Sequence, residues 1–186
     1  CTVPGATTWE PWSTATYRSA MSETSYRQRR SQPPPGATEI LLVRHGEAAP
    51  EVPGQVAPQE DGHGDPALAP GGHLQAELVG ARLADQPIAA IYVSTLQRTH
   101  QTAAPLARHL GLTPIVEADL REVHLGEWEG TFRQRVAEGG PLVAQLFQEG
   151  RWDVIPGAET EDAFAARTTA NFDRLFSRAA RPARAA

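Results

Sequence analysis

Three short apolar runs along the chain are bounded by Gly or by charged residues. They cover residues 38–43, 88–93 and 113–116. Runs of this length with such boundaries are typical of buried strands. Segments with helical spacing of apolar residues separate these runs, and strands that alternate with helices predict an α/β fold. In such a fold a mostly parallel sheet carries helices on both faces.

The segment between the first two runs divides into a loop and a helix. Residues 48–71 are rich in Pro, Gly and acidic residues and predict a long loop, which in a compact domain is usually functional or disordered. Residues 72–85 place Leu74, Leu78 and Ala81 at helical spacing, so we expect a helix there. Further helices are predicted over residues 96–110, 131–149 (as short helices) and 159–178.

The two ends of the chain differ from its middle in composition. Residues 1–37 are rich in Thr, Ser, Pro and Arg, lack periodicity, and predict a disordered N-terminal extension. Met21 is an alternative start within it. Residues 38–178 form the predicted domain, and residues 179–186 form a low-complexity tail of Ala, Arg and Pro.

Charge and cysteine content exclude several classes of function. The net charge of −5 argues against a broad basic surface for nucleic acid or an anionic membrane. The single cysteine, Cys1, permits neither an intramolecular disulfide nor a cysteine metal cluster. No apolar run approaches the roughly 20 residues of a membrane span, so we expect a cytoplasmic protein that binds neither membrane nor nucleic acid. The oligomeric state is not predicted.

The first candidate for chemistry is Arg44-His45-Gly46, which directly follows the first apolar run. Open α/β sheets place ligand sites at the carboxyl ends of their strands. Neutral imidazole can attack phosphorus, guanidinium binds phosphate oxygens in a bidentate way, and Gly lets the backbone approach a ligand closely. The alternative interpretation is a solvent-exposed pair of loop residues.

Three further motifs follow in order. The second apolar run leads into Ser94, Arg98, Thr99, Thr102 and Ala103, which fit the pattern Ser-x-x-x-Arg-Thr-x-x-Thr-Ala. The loop before the first helix fits Asp-x-x-Leu-x-x-x-Gly-x-x-Gln-Ala at Asp65, Leu68, Gly72, Gln75 and Ala76. A fourth segment contains Leu120, Glu122, Gly126, Trp128, Glu129 and Gly130. Together with Arg-His-Gly, these motifs resemble the histidine phosphatase superfamily, the phosphoglycerate-mutase-like proteins.

The resemblance implies a fold, a mechanism and a site. The fold is a three-layer α/β/α sandwich with a mostly parallel sheet, and the substrate is a small phosphorylated molecule. His45 is the implied nucleophile, and Glu122 is the acid that protonates the leaving oxygen. The implied phosphate-binding residues are Arg44, Gly46 and Arg98. No metal and no cofactor are implied. Apart from the resemblance, Arg98 could pair with a carboxylate on an exposed helix, and Glu122 could be a surface residue.

The chain departs from the family pattern in three places. The family carries a second catalytic histidine on a later strand, and no matching segment follows Glu161. We therefore expect a domain that is incomplete at its C-terminal end, with activity impaired by truncation. Ala69 stands where the family usually has Thr, and Glu51 stands where it often has Asn, so either Glu51 repels phosphate or the loop is shifted.

Three functions are consistent with these motifs. A phosphomonoester hydrolase that acts through a phosphohistidine is favoured. A phosphoglycerate-mutase-type phosphotransferase would return the phosphoryl group to a second hydroxyl. A pseudoenzyme would bind phosphorylated ligands or a protein partner without turnover, and the absent second histidine is its main support. A metal hydrolase is not indicated, because no His/Asp spacing forms a metal site.

Overall fold

The computed structural model describes residues 34–179. The predicted N-terminal extension therefore lies almost wholly outside the described residues, and so does the predicted low-complexity tail. The unit that carries the candidate site begins at Thr38. Among residues 34–179, no helix is both long and apolar enough to cross a membrane.

The described chain contains short strands and longer helices. The strands are β1 (Gln59–Glu60), β2 (His63–Gly64), β3 (Tyr92–Val93) and β4 (Ile115–Val116). The α-helices are α1 (Pro70–Leu83), α2 (Gln97–Leu110), α3 (Phe132–Glu138), α4 (Pro141–Glu149) and α5 (Glu161–Ala179). Two 3₁₀ turns cover Ala118–Leu120 and Gly126–Trp128.

The unit β3–α2–β4 confirms the predicted α/β class. β3 and β4 pair in parallel, with Tyr92 opposite Ile115. Parallel neighbours need a crossover connection, and α2 supplies it. Helix α2 continues through Pro105 and is capped by Gly111, whose φ of 64° is the left-handed conformation that Gly adopts without strain.

The prediction of one long loop over residues 48–71 was wrong in part, because the segment contains a β-hairpin. β1 and β2 pair antiparallel around the two residues Asp61 and Gly62. Both residues have positive φ, 48° and 79°, as a type I′ turn requires. An Asp-Gly pair is the sequence signal for this turn, so the hairpin was readable from the chain.

The prediction of a buried strand over residues 38–43 was also wrong. Within residues 34–179 this segment pairs with no strand, and the exposed fractions of Leu41, Leu42 and Val43 are 47%, 78% and 49%. Apolar composition favours strand conformation but cannot supply the neighbouring strand that buries it.

Helix α1 buries its small residues rather than its leucines. Leu74 and Leu78 are 66% and 70% exposed, whereas Gly72, Ala76 and Gly80 are buried. The small residues allow α1 to lie very close to α2: a Cβ added at Gly80 would come within 2.8 Å of the Pro105 Cβ. Close backbone approach therefore decides the orientation of α1.

A second cluster of buried apolar residues lies around Trp128. Its buried members are Trp128, Leu146 and Ile155, and the rings of Trp128 and Phe132 lie 6.1 Å apart. Trp128 is 7% exposed, so its ring is part of the apolar packing. The predicted short helices are α3 and α4.

Candidate active site

The residues after His45 are held in place by the segment that leads into α1. Ala69 donates its N–H to the Glu47 carbonyl at 2.8 Å, and Ala49 donates to the Ala67 carbonyl at 2.7 Å. Glu47 in turn donates its N–H to Gln75 Oε1 at 2.8 Å. Because these bonds fix the backbone of residues 47–49, the chain directly after His45 is held without a paired strand before it.

Gly46 joins the His45 turn to both helices. Its N–H donates to Thr102 Oγ1 at 3.0 Å, and that hydroxyl donates to the Arg98 carbonyl at 2.7 Å. A Cβ on Gly46 would lie 2.5 Å from the Gly72 carbonyl oxygen. Gly46 is therefore required for close packing against α1. Its N–H already has an acceptor within the protein, so the predicted contribution of Gly46 to phosphate binding does not come from this amide.

His45, the predicted nucleophile, has a defined tautomer. Its Nδ1 lies 2.7 Å from the Gly46 carbonyl oxygen. A carbonyl only accepts, so Nδ1 carries the proton and Nε2 carries the lone pair. Burial lowers the pKa of His45 below its usual value, and the nearby guanidinium groups of Arg98 and Arg44 lower it further, against opposing effects of the Gly46 carbonyl and Glu122. The neutral, nucleophilic form is thus favoured.

Arg98, predicted to bind phosphate, is buried rather than exposed. It is 8% exposed, and its Nη1 donates to the Gly64 carbonyl at 2.8 Å. The same Nη1 lies 3.8 Å from Asp65 Oδ1. The alternative of an exposed helix residue is therefore excluded, although Arg98 does have a carboxylate partner. One guanidinium nitrogen is anchored by the protein, which leaves further N–H groups to bind an anion.

Asp65 positions Arg98, a role that the sequence patterns did not reveal. Its Oδ1 accepts the N–H of Gln97, the first residue of α2, at 2.8 Å. A carboxylate at a helix N-terminus satisfies a free N–H and interacts favourably with the helix dipole. Because Arg98 is the next residue of α2, Asp65 holds both the start of the helix and the guanidinium.

Arg44 and Glu122 are exposed, and both act on His45 electrostatically. Glu122 also stabilises the charged form of Arg98, so the structure brings His45, Arg98 and Glu122 into one electrostatic environment. Glu122 Oε1 accepts the N–H of Val123 at 2.9 Å. The Glu122 backbone is fixed by α5, since Arg167 Nη2 donates to the Glu122 carbonyl at 3.0 Å.

Glu51 lies away from this group and caps α3. Its two carboxylate oxygens accept the N–H groups of Arg133 and Gln134 at 3.1 and 3.0 Å. These are the second and third residues of the helix, where such N–H groups otherwise lack partners. Both carboxylate oxygens of Glu51 are thus used in a helix cap, which favours the shifted-loop interpretation over repulsion of phosphate.

The remaining histidines differ in their surroundings. His73 and His109 are exposed on the helices, and His100 on α2 is half-buried. His63 and His124 instead meet edge to face, with ring centroids 4.9 Å apart, beside the residues that hold Arg98. No sequence signal paired these two residues, because His63 lies in β2 and His124 lies in a loop 61 residues further along the chain. Among residues 34–179, side chains of the metal-ligating types form no cluster of three or more.

Comparisons with known proteins agree with the motif pattern. The family profile of the histidine phosphatase superfamily (branch 1) matches residues 40–183. Phosphoglycerate mutase-like protein 4 of Arabidopsis thaliana is 36% identical over 141 residues, which cover 74% of this chain and 60% of the plant protein. A probable phosphoglycerate mutase of Photorhabdus laumondii is 33% identical over 143 residues, covering 71% of this chain and 60% of that protein.

A solved structure has the same fold. A mycobacterial glucosyl-3-phosphoglycerate phosphatase superposes with a TM-score of 0.56 at 29% identity, over 70% of this chain and 60% of the other. The chain thus spans about 60% of the length of these similar proteins.

Proposed function

This chain belongs to the histidine phosphatase superfamily, and we propose that it hydrolyses small phosphate monoesters through a phosphohistidine formed on His45. The observation that carries the proposal is the hydrogen bond from His45 Nδ1 to the Gly46 carbonyl, because it leaves Nε2 unprotonated. Burial and two arginines support the same protonation state by lowering the pKa of His45.

In the first step, the Nε2 lone pair attacks phosphorus while the ester P–O bond breaks. Phosphoryl transfer depends mainly on positioning and on stabilisation of the phosphate charge. Arg98 and Arg44 supply positive charge on the oxygens that do not react. Glu122, a carboxylate in the free protein, takes up a proton as the phosphate dianion binds beside it, and gives that proton to the leaving oxygen, so the alcohol departs neutral and Glu122 is again a carboxylate.

In the second step, water attacks the phosphorus of the phosphohistidine. The Glu122 carboxylate takes a proton from this water, and the P–N bond breaks. Inorganic phosphate leaves, and His45 returns to the neutral form with its proton on Nδ1. The two steps together consume one water and regenerate both residues.

A labelling experiment tests the nucleophile. Brief incubation with ³²P-labelled phosphomonoester, followed by a denaturing quench, should give a protein-bound label that is stable in alkali and lost in acid. His45→Ala should give no label, because no other residue replaces the nucleophile. His109→Ala is the matched control, since it removes an exposed histidine on α2 and should label normally. Retention of the label in His45→Ala would contradict the proposal.

The mutase-type relatives make phosphoryl transfer to a second hydroxyl the alternative function. The two reactions share the phosphohistidine and differ only in its acceptor. With 3-phosphoglycerate as substrate, a hydrolase releases inorganic phosphate, whereas a mutase forms 2-phosphoglycerate with little free phosphate. A pseudoenzyme would bind vanadate or phosphate but give neither product nor label.

A further inference from the structure

A cavity of about 330 Å³ lies beside the proposed reaction centre. Its lining residues are close in the chain to that centre: Arg121 precedes Glu122, His124 lies two residues after it, and His63 precedes Gly64, whose carbonyl accepts from Arg98. The lining residues are His63, Arg121, His124, Gly157, Glu159 and Arg167. This volume is in the range of small-molecule sites, and its position suits the part of a substrate attached to the phosphate.

Two arginines line the cavity, yet one of them has no capacity left for a ligand. Arg167 donates Nε and Nη2 to the Glu159 carboxylate at 2.6 and 2.8 Å. Its remaining N–H groups donate to the carbonyls of Asp119, Arg121 and Glu122 at 2.9 to 3.0 Å. All five donors of the guanidinium are thereby used. Arg167 forms a wall of the cavity, and Glu159 balances its charge.

Arg121 is also paired with a carboxylate, but it retains free donors. Its Nη1 bonds Asp61 Oδ2 at 3.1 Å, and its Nε donates to the Ala118 carbonyl at 3.1 Å. Two of its five N–H groups thus have partners among residues 34–179. The cavity wall therefore has no net charge from its arginines, because each has its own carboxylate.

The two histidines present a neutral surface with one acceptor. His124 Nε2 donates to the Gly62 carbonyl at 3.1 Å, while its Nδ1 accepts the Gly126 N–H at 3.1 Å, so the ring is fully bonded and uncharged. His63 Nδ1 donates to the Asp61 carbonyl at 3.3 Å. No described residue bonds His63 Nε2, which is left as a lone-pair acceptor. Burial lowers the pKa of His63, which favours this neutral form.

We propose that this cavity binds the leaving group of the substrate, and that this group is uncharged and polyhydroxylated, as in a sugar or polyol phosphate. The inference rests on the proposed phosphatase function and names the substrate class of that site. A hydroxyl group can donate to His63 Nε2 and accept from Arg121, so it matches both free positions. A carboxylate or second phosphate has no proton for His63 and meets an arginine that Asp61 already neutralises.

Binding measurements test the inference independently of turnover. Calorimetric titration of the whole chain should show tighter binding of glucose 6-phosphate than of 3-phosphoglycerate. His63→Phe keeps a ring against His124 but removes the acceptor, and should weaken glucose 6-phosphate binding about tenfold, as expected for one lost hydrogen bond. His63→Gln, whose amide oxygen can accept, should restore part of the loss. Inorganic phosphate should bind all three proteins equally.

The outcomes separate the two proposals. Equal or tighter binding of 3-phosphoglycerate, or a sugar preference that survives in His63→Phe, would overturn the assignment of the cavity. Failure of His45 labelling, together with an intact sugar preference that His63→Phe removes, would overturn the phosphatase and leave the cavity assignment standing. Melting curves of the variants identify any loss of binding that comes from misfolding.

Discussion

The segment before His45 and the segment after it differ sharply in their surroundings. Leu42 is 78% exposed, whereas Gly46 is buried. Before the histidine, residues 38–43 pair with no strand in the described part of the chain. After it, Gly46 bonds Thr102 and Glu47 bonds both Ala69 and Gln75. The comparison teaches that the turn after His45 is positioned by the two helices and their leading loops, not by the apolar run before it.

The largest expected effect comes from truncating a buried leucine at the start of α2, one of the two helices that position the turn, in comparison with an exposed leucine in residues 38–43. Leu96, at the start of α2, is 1% exposed, so Leu96→Ala should lower the free energy of unfolding by about 2–5 kcal/mol. Leu42→Ala removes the same atoms from an exposed site and should change it by less than about 0.5 kcal/mol. Urea denaturation measures both. Equal losses would mean that residues 38–43 are buried in solution.

Two neighbouring glycines in the first turn of α1 test the packing of the turn after His45. A Cβ at Gly72 would overlap the Glu47 carbonyl oxygen, so Gly72→Ala should cost about 1–3 kcal/mol of stability and lower phosphatase activity. Gly71→Ala is the matched control, because its Cβ would meet only the end of the flexible Glu47 side chain, 2.7 Å away. Removing a helical glycine there favours folding by up to about 1 kcal/mol. Similar losses in both variants would contradict the close backbone approach.

Adding the helix cap that α1 lacks should have a smaller effect, and should raise the free energy of unfolding rather than lower it. Ala69 is the N-cap of α1 and makes no side-chain capping bond. Ala69→Thr should raise the free energy of unfolding by about 1 kcal/mol, because the hydroxyl can accept an N–H of the first helical turn. Thermal melting of Ala69→Thr and Ala69→Val separates capping from β-branching, since Val has the same shape without the acceptor. Equal melting temperatures would contradict the cap.

The smallest expected effect is a displaced titration of His45, which lies between the two regions. Burial and the charges of Arg98 and Arg44 lower its pKa, so protonation should begin only at a pH below the ordinary value of about 6.5. If His45 is the nucleophile as proposed, we expect activity to persist further into acid than the titration of a free histidine would allow. Proton NMR of the ring, assigned by the signal lost in His45→Ala, measures the midpoint. A midpoint at or above 6.5 would show that the opposing effects of Gly46 and Glu122 prevail.

The sequence predicted those features that depend on local pattern. The five helices lie close to the predicted segments, and Gly111 ends α2 as a glycine cap should. The family was also predicted from its motifs, and the profile match over residues 40–183 confirms it. The hairpin at Asp61-Gly62 was missed although its signal is local, because the surrounding Pro, Gly and acidic residues indicated a loop.

Other features could not be predicted from the sequence, because they depend on contacts with residues far away along the chain. Helical spacing is the same for a face of leucines and a face of glycines, so only the approach of α2 decides that α1 buries Gly72, Ala76 and Gly80. Asp65 matches a motif position, but its bonds to Gln97 and Arg98 depend on how the loop folds back over α2.

By itself, the sequence determined the motifs that contain Arg44, His45, Arg98 and Glu122 and the order of these motifs along the chain. That order was enough to indicate the family. The tertiary structure decided the protonation of His45, the burial of Arg98, and the cavity that joins His63 to His124. The physical reason is that hydrogen bonds and desolvation act through space. The bond from Gly46 to Thr102 spans 56 residues of chain, and no local pattern encodes such a contact.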